Sequence, residues 1–131
     1  MASIFSKIIA GEIPCYKIAE NENYLAFLDI FPLRKGHTLV IPKKEIDYIF
    51  DLDNETYLGL MSFSKTVAEA IKKAIPCQRI SMGVFGLEVP HAHVHLIPMN
   101  TMNDVNFDNE KLKLSKEEFE QIAAQIRQYL S

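Results

Sequence analysis

The sequence predicts an α+β domain built on an antiparallel sheet. Three observations predict it. Segments with helical apolar spacing are interleaved with short, β-branched apolar runs. The turns between successive runs are short, which suits antiparallel neighbours. A chain of 131 residues, 48% hydrophobic and 24% charged, supports one core and therefore a single domain over residues 1–131. Its main body spans 4–99, and 100–131 form a C-terminal extension carrying a helix.

Ser3 to Ile9 reads as a short helix carrying Ile4, Phe5, Ile8 and Ile9. Cys15 to Ala19 and Tyr24 to Asp29 read as strands joined by a turn at Glu20 to Asn23. Phe31 to Gly36 is a loop. His37 to Pro42 is an apolar, β-branched run ended by proline, which reads as a buried strand. Asp53 or Asn54 caps a long helix reaching about Ala74, with Leu58, Met61, Val67, Ala68, Ile71 and Ile75 at near-helical spacing. Arg79 to Phe85 and Val89 to Met99 read as two further strands, with a turn at Gly86. Asn100 to Lys113 is polar and irregular. Ser115 to Glu118 forms a capping box. Behind it Phe119, Ile122, Ala123, Ile126 and Leu130 make one face of a final helix.

Composition narrows the function. A net charge of −3 leaves no basic surplus to neutralise many phosphates, so a nucleic-acid binder held by charge is excluded. A small phosphorylated ligand needs only a few local donors and is not excluded. Arg34, Lys35, Lys43 and Lys44 read as a solvated basic edge, with steering of an anion as the alternative. No stretch approaches the roughly 20 apolar residues of a membrane span. The N-terminal apolar cluster is broken by Lys7, unlike a signal peptide. The expectation is a cytoplasmic protein. Cys15 and Cys77 then read as reduced thiols, with a single disulfide between them as the alternative.

The chain has four histidines, and His91, His93 and His95 fall within five residues. On a strand they share a face, while Ala92, Val94 and Leu96 point into a core. One reading is a plain polar face, but Thr, Lys or Glu would serve as well. A second is a metal site. Cα atoms of His91 and His95 stand roughly 13 Å apart on a strand, and three parallel imidazoles converge poorly on one ion. Glu88 is the only carboxylate nearby in sequence. The third reading is a nucleophilic histidine. A backbone carbonyl that takes the Nδ1 proton of His93 leaves Nε2 free to attack phosphorus. Flanking imidazoles then donate to phosphate oxygens.

The segment His91-Ala-His93-Val-His95-Leu-Ile97 resembles the signature of the histidine triad (HIT) family, His-φ-His-φ-His-φ-φ with φ apolar. Residues 4–14, 24–32 and 36–44 resemble the family's N-terminal blocks in order and spacing. The resemblance implies a HIT-like fold, a five-stranded antiparallel sheet with a long helix and a C-terminal helix, joined across a homodimer. It implies hydrolysis or transfer at the α-phosphate of a nucleoside phosphoramidate or dinucleoside polyphosphate, with no cofactor and no metal. His93 would be the nucleophile, His91 and His95 its partners, and His37 a fourth histidine that orients them. A purine, AMP-like nucleotide would lie with its ribose on Asp29. Its base would lie against Ile4, Phe5, Ile8, Phe27 and Ile30, although ordinary core is the rival reading for Phe5, Ile8 and Phe27. Backbone N–H groups around Glu88 and Val89 would contact the phosphate.

Two departures stand out. The turn before the triad is usually polar in the family; here it is Gly86-Leu87-Glu88-Val89, and Leu87 cannot donate. Some members carry a structural zinc held partly by N-terminal cysteines. Here Ser3 and Ser6 stand at those positions and Glu45 where a histidine often helps, so no such zinc is expected. Two rival functions remain: a nucleotide-binding HIT protein with little turnover, and a histidine-based metalloprotein.

Overall fold

The computed structural model describes residues 2–130. Helix α1 (Ile4–Ile9) is followed by strands β1 (Lys17–Glu20), β2 (Tyr24–Leu28) and β3 (Thr38–Pro42), then by α2 (Asn54–Ala74). Strands β4 (Arg79–Gly83) and β5 (Val94–Met99) follow. A 3-10 turn over Met102–Val105 leads to α3 (Lys116–Arg127). The five strands form one sheet in the order β1-β2-β3-β5-β4, with every neighbouring pair antiparallel. This is the α+β arrangement that the sequence predicts.

Both faces of the sheet centre are covered, which explains why β2 and β3 are buried at every position and, Thr38 apart, carry no alternating polar residues. On one face Tyr24, Ala26, Leu28, Val40, Val94 and Leu96 pack with Leu60, Val67 and Ile71 of α2 and Phe119, Ile122 and Ile126 of α3. On the other face Leu25, Phe27, Leu39 and Ile41 pack with Phe5 of α1. That second layer is thin, because α1 has only six residues. Part of the sheet is left uncovered there.

Several boundaries move, each for a local reason. The expected strand Val89 to Met99 shrinks to Val94–Met99. Its first half is turned: the His91 N–H bonds to Val89 O, and the Ala92 N–H is taken by Ile46 O. Of the triad only His95 therefore lies in a strand. The first strand begins at Lys17 rather than Cys15, with a register shift against β2 between Lys17 and Ala19. The third begins at Thr38, because the His37 N–H closes a turn on Arg34 O. The fourth ends at Gly83, where its ladder with His95 stops. Cys15 and Cys77 are free and half-buried.

The C-terminal extension is anchored. Asp104 pairs with Arg34 at 2.6 Å, and the Leu112 N–H bonds to Pro32 O. Residues 102–112 thus run across the 31–36 loop as a strap. Among the described residues no helix is long and apolar enough to cross a membrane.

Candidate active site

All four histidines come together on the thinly covered face, and each is buried. Hydrogen positions follow from the partners of each ring nitrogen. The His93 Nδ1 lies 2.7 Å from His91 O. A carbonyl only accepts, so Nδ1 carries the proton and Nε2 keeps its lone pair. The Nε2 atom has no protein partner among the described residues and is not sealed from solvent.

The His37 Nδ1 accepts the Leu33 N–H at 3.0 Å, so a neutral His37 carries its proton on Nε2. That Nε2–H reaches His95 Nδ1 at 3.0 Å. His95 must then carry its own proton on Nε2. Both rings stay neutral at ordinary pH. Burial, reinforced by the nearby Lys111 charge, pushes His37 down to about 3. Burial, then the neighbouring His37 and His93, pushes His95 down to about 3. The result is one free lone pair on His93 and one N–H donor on His95, with ring centroids 5.1 Å apart.

His91 is placed differently. Its Nε2–H donates to Pro42 O at 2.8 Å, and its Nδ1 accepts from the Ser3 hydroxyl at 2.9 Å. Burial holds it below its ordinary value. With both nitrogens engaged it has no donor left for a phosphate. It pins the N-cap of α1 to the end of β3, and its carbonyl fixes the ring of His93.

The Ser3 oxygen also accepts the Ser6 N–H, which is the N-cap bond of α1. Glu45 accepts from the Ser3 N–H and from the Ser6 hydroxyl, both at 2.6 Å. These bonds hold its carboxyl at about 2. Ser3, Ser6, Glu45 and His91 therefore satisfy one another by hydrogen bonds. They present no thiolate, and the donor set does not suit a structural zinc.

A cavity of about 510 Å³ opens beside His93 and His95, a size that takes a nucleotide-sized ligand. Ile4, Phe5, Ile8, Phe27 and Ile30 line one wall. Phe5 and Phe27 are also buried core residues, so packing and lining coincide in them. Asp29, Glu88 and Val89 line it as well, and among the described residues these two carboxylates are its only charged side chains. Asp29 accepts the Phe31 N–H, an Asx turn, and its other oxygen lies 3.5 Å from His37 Nε2. Because His37 is neutral, that contact is not an ion pair. Leu87 stands 96% exposed at the mouth.

Sequence reasoning missed Phe85 and Phe107. Both line the cavity and pack on His95, with ring centroids at 5.6 and 5.1 Å. Nothing in the local pattern around Phe107 sets it apart from other loop aromatics.

Asp29, His37 and His95 also bring three ligand-type atoms within 4.8 Å of one another, although Asp29 is far from the triad in sequence. The bonding does not suit a metal. A ligating histidine donates its second N–H outward. Here the second nitrogen of His37 accepts a buried backbone N–H, so its Nε2 lone pair is occupied by the proton.

The basic residues do not face this cavity. Lys43 pairs with Glu20 and Lys44 with Asp53, beside a separate polar depression that also includes Asn23 and Thr56.

Comparison with known proteins bears on the family and the fold. A family model described as HIT domain matches residues 10–102. An uncharacterized HIT-like protein of Borreliella burgdorferi is 35% identical over 131 residues, covering 94% of each chain. The adenosine 5′-monophosphoramidase of Schizosaccharomyces pombe is 40% identical over 99 residues, covering 75% of this chain and 74% of its own. A crystal structure of a HIT-like protein from Bartonella henselae superposes with a TM-score of 0.85 at 34% identity, covering 98% and 96% of the two chains.

Proposed function

The chain belongs to the HIT family, and from that premise we propose a hydrolase or transferase acting at the α-phosphate of an AMP-like nucleotide. Its substrate would be a nucleoside phosphoramidate or a dinucleoside polyphosphate. The observation that carries the proposal is the His93 ring: its Nδ1–H is held by the His91 carbonyl, and its Nε2 is free beside an apolar cavity. The Schizosaccharomyces pombe relative, an adenosine 5′-monophosphoramidase by name, supports the substrate class.

The base lies among Ile4, Phe5, Ile8, Phe27 and Ile30, and the ribose hydroxyls donate to Asp29. His93 Nε2 forms a bond to phosphorus as the bond to the leaving group breaks. In the phosphoramidate case the leaving amine takes a proton from water. His95 Nε2–H and the backbone N–H groups near Glu88 and Val89 donate to the phosphate oxygens as charge grows on them. Water then attacks the nucleotidyl-His93, releasing the nucleoside monophosphate and a proton and restoring neutral His93. None of these steps draws on a metal. His91 and His37 act through His93 and His95 respectively.

We place the protein in the cytosol, where nucleotides are at hand, as a homodimer joined along β4. That edge strand has one unpaired side and a half-exposed Met82. Sedimentation at several concentrations tests the dimer.

Incubation with adenosine 5′-phosphoramidate should release AMP, and His93→Ala should lose at least about a thousandfold in rate while still binding AMP. A nucleotidyl adduct should be trapped on the wild-type chain and be missing from the variant. Wild-type-like turnover in His93→Ala would overturn the nucleophile. A second reading, a nucleotide-binding protein with little turnover, is favoured by the Leu87-Glu88 turn, which puts an apolar and an anionic side chain at the mouth. AMP binding without AMP release would decide for it.

A further inference from the structure

The family-model match ends at residue 102, yet the strap beyond it reaches the histidines. The Phe107 ring lies 5.1 Å from His95 and 6.2 Å from His37, nearly perpendicular to both, and 5.1 Å from Phe85. Its outer side is exposed. It packs against both partners of the His37–His95 hydrogen bond. The strap is tied down on both sides of it, by the Arg34–Asp104 pair and by the Leu112 bond to Pro32 O. The Lys111 ammonium donates to Phe107 O and lies 5.9 Å from the ring centroid.

We propose that Phe107 is a positioning residue: it closes the solvent side of the His37–His95 pair and so keeps the His95 N–H aimed at the cavity. The inference rests on the reading of His95 as the phosphate donor.

The His95 tautomer depends on a single bond, from His37 Nε2–H to His95 Nδ1. A proton arriving on His95 Nδ1 would set two N–H groups against each other, and the ring would be free to turn. Charges around the pair act in opposing directions. Asp29 lies beside both rings and favours a proton on His95, and Glu88 adds a second carboxylate to the cavity wall. Lys111 faces His37, and His93 faces His95; both disfavour it. Burial is the largest influence on each ring, and Phe107, packed against both, supplies part of that burial.

The test is an NMR titration of the imidazole resonances in the unliganded full chain, alongside the pH dependence of kcat and KM for adenosine 5′-phosphoramidate. Phe107→Ala should raise the His37 and His95 midpoints by about one pH unit or more, a tenfold change in proton affinity. Its kcat should fall selectively on the acid side, with KM changed less. Phe107→Leu should restore the wild-type midpoints. Arg34→Ala, which loosens the strap without touching the ring, should move them in the same direction as Phe107→Ala; it covers the case in which that variant does not fold. Wild-type midpoints in Phe107→Ala, or in Arg34→Ala should Phe107→Ala not fold, would overturn the proposal. Moved midpoints in a protein whose wild type has no turnover would leave Phe107 in this role and remove the hydrolase reading instead.

Discussion

The four imidazoles here are bonded in four different ways, and a ring nitrogen's partner decides which. A carbonyl partner makes His93 Nδ1 a donor and leaves a lone pair for chemistry. A backbone N–H partner makes His37 Nδ1 an acceptor and sends its proton toward His95. His91 donates to one carbonyl and accepts from one side-chain hydroxyl, and becomes a fastener between α1 and β3. Replacing His91 by Ala should therefore act mainly on stability, because it leaves a buried cavity against Phe5 and unpairs Ser3 and Pro42 O. A loss of about 2–4 kcal/mol in urea unfolding is expected. Turnover should also drop, with AMP affinity changed less, because the His91 backbone then holds His93 more loosely. Unchanged stability would show that the fastening is not made in solution.

At the scale of elements, short pieces carry the site and long pieces carry the core. Helix α1 has six residues and cannot persist alone. It is held by its Ser3 cap, by Glu45 and by Phe5 in the second layer. Ser3→Ala should cost about 1–2 kcal/mol, from the lost cap and the unpaired Nδ1 of His91. Helix α2 offers a sharper check. A glycine inside a helix normally gains stability on change to alanine. A Cβ on Gly59, however, would sit 1.9 Å from the Tyr24 hydroxyl, which itself bonds to Thr56 O. Gly59→Ala should thus destabilise by about 1–3 kcal/mol, and a thermal melt with a raised midpoint would refute that packing. The sequence showed the helices well because their apolar spacing is local. It overextended the triad strand because the Ala92 N–H leaves the ladder for Ile46 O, a partner far away in sequence.

For the molecule as a whole, the buried histidines set an acid limit. His37 and His95 bind protons near 3 when folded and near 6.5 when unfolded. Between those values the unfolded chain holds more protons, so stability falls as pH drops from about 6.5 toward 3. Glu45, at about 2 when folded, adds a loss that begins below its ordinary value near 4.5. Urea midpoints should fall steadily between pH 7 and pH 4, and a flat profile would contradict neutral buried imidazoles.

The amino-acid pattern alone determined the α+β class, the extent of α2, the start of α3 at its Ser115 capping box, and the likeness to the HIT family; α3 itself ends at Arg127, short of Leu130. Each of these rests on periodicity, or on a motif read within a few residues. It also named ten of the residues that line the cavity, because Ile4, Asp29 and their neighbours lie in segments that match the family block by block. Only the tertiary structure decided which nitrogen of each histidine carries the proton. It alone turned His91 away from the cavity, set Asp29 beside His37 and laid Phe107 over His95. A tautomer depends on a partner, and the partners Leu33, Pro42 and Ser3 are brought to their rings by folding. Phe107 needed the strap to be anchored on Arg34 and Pro32, a contact between loops that carries no periodicity to read.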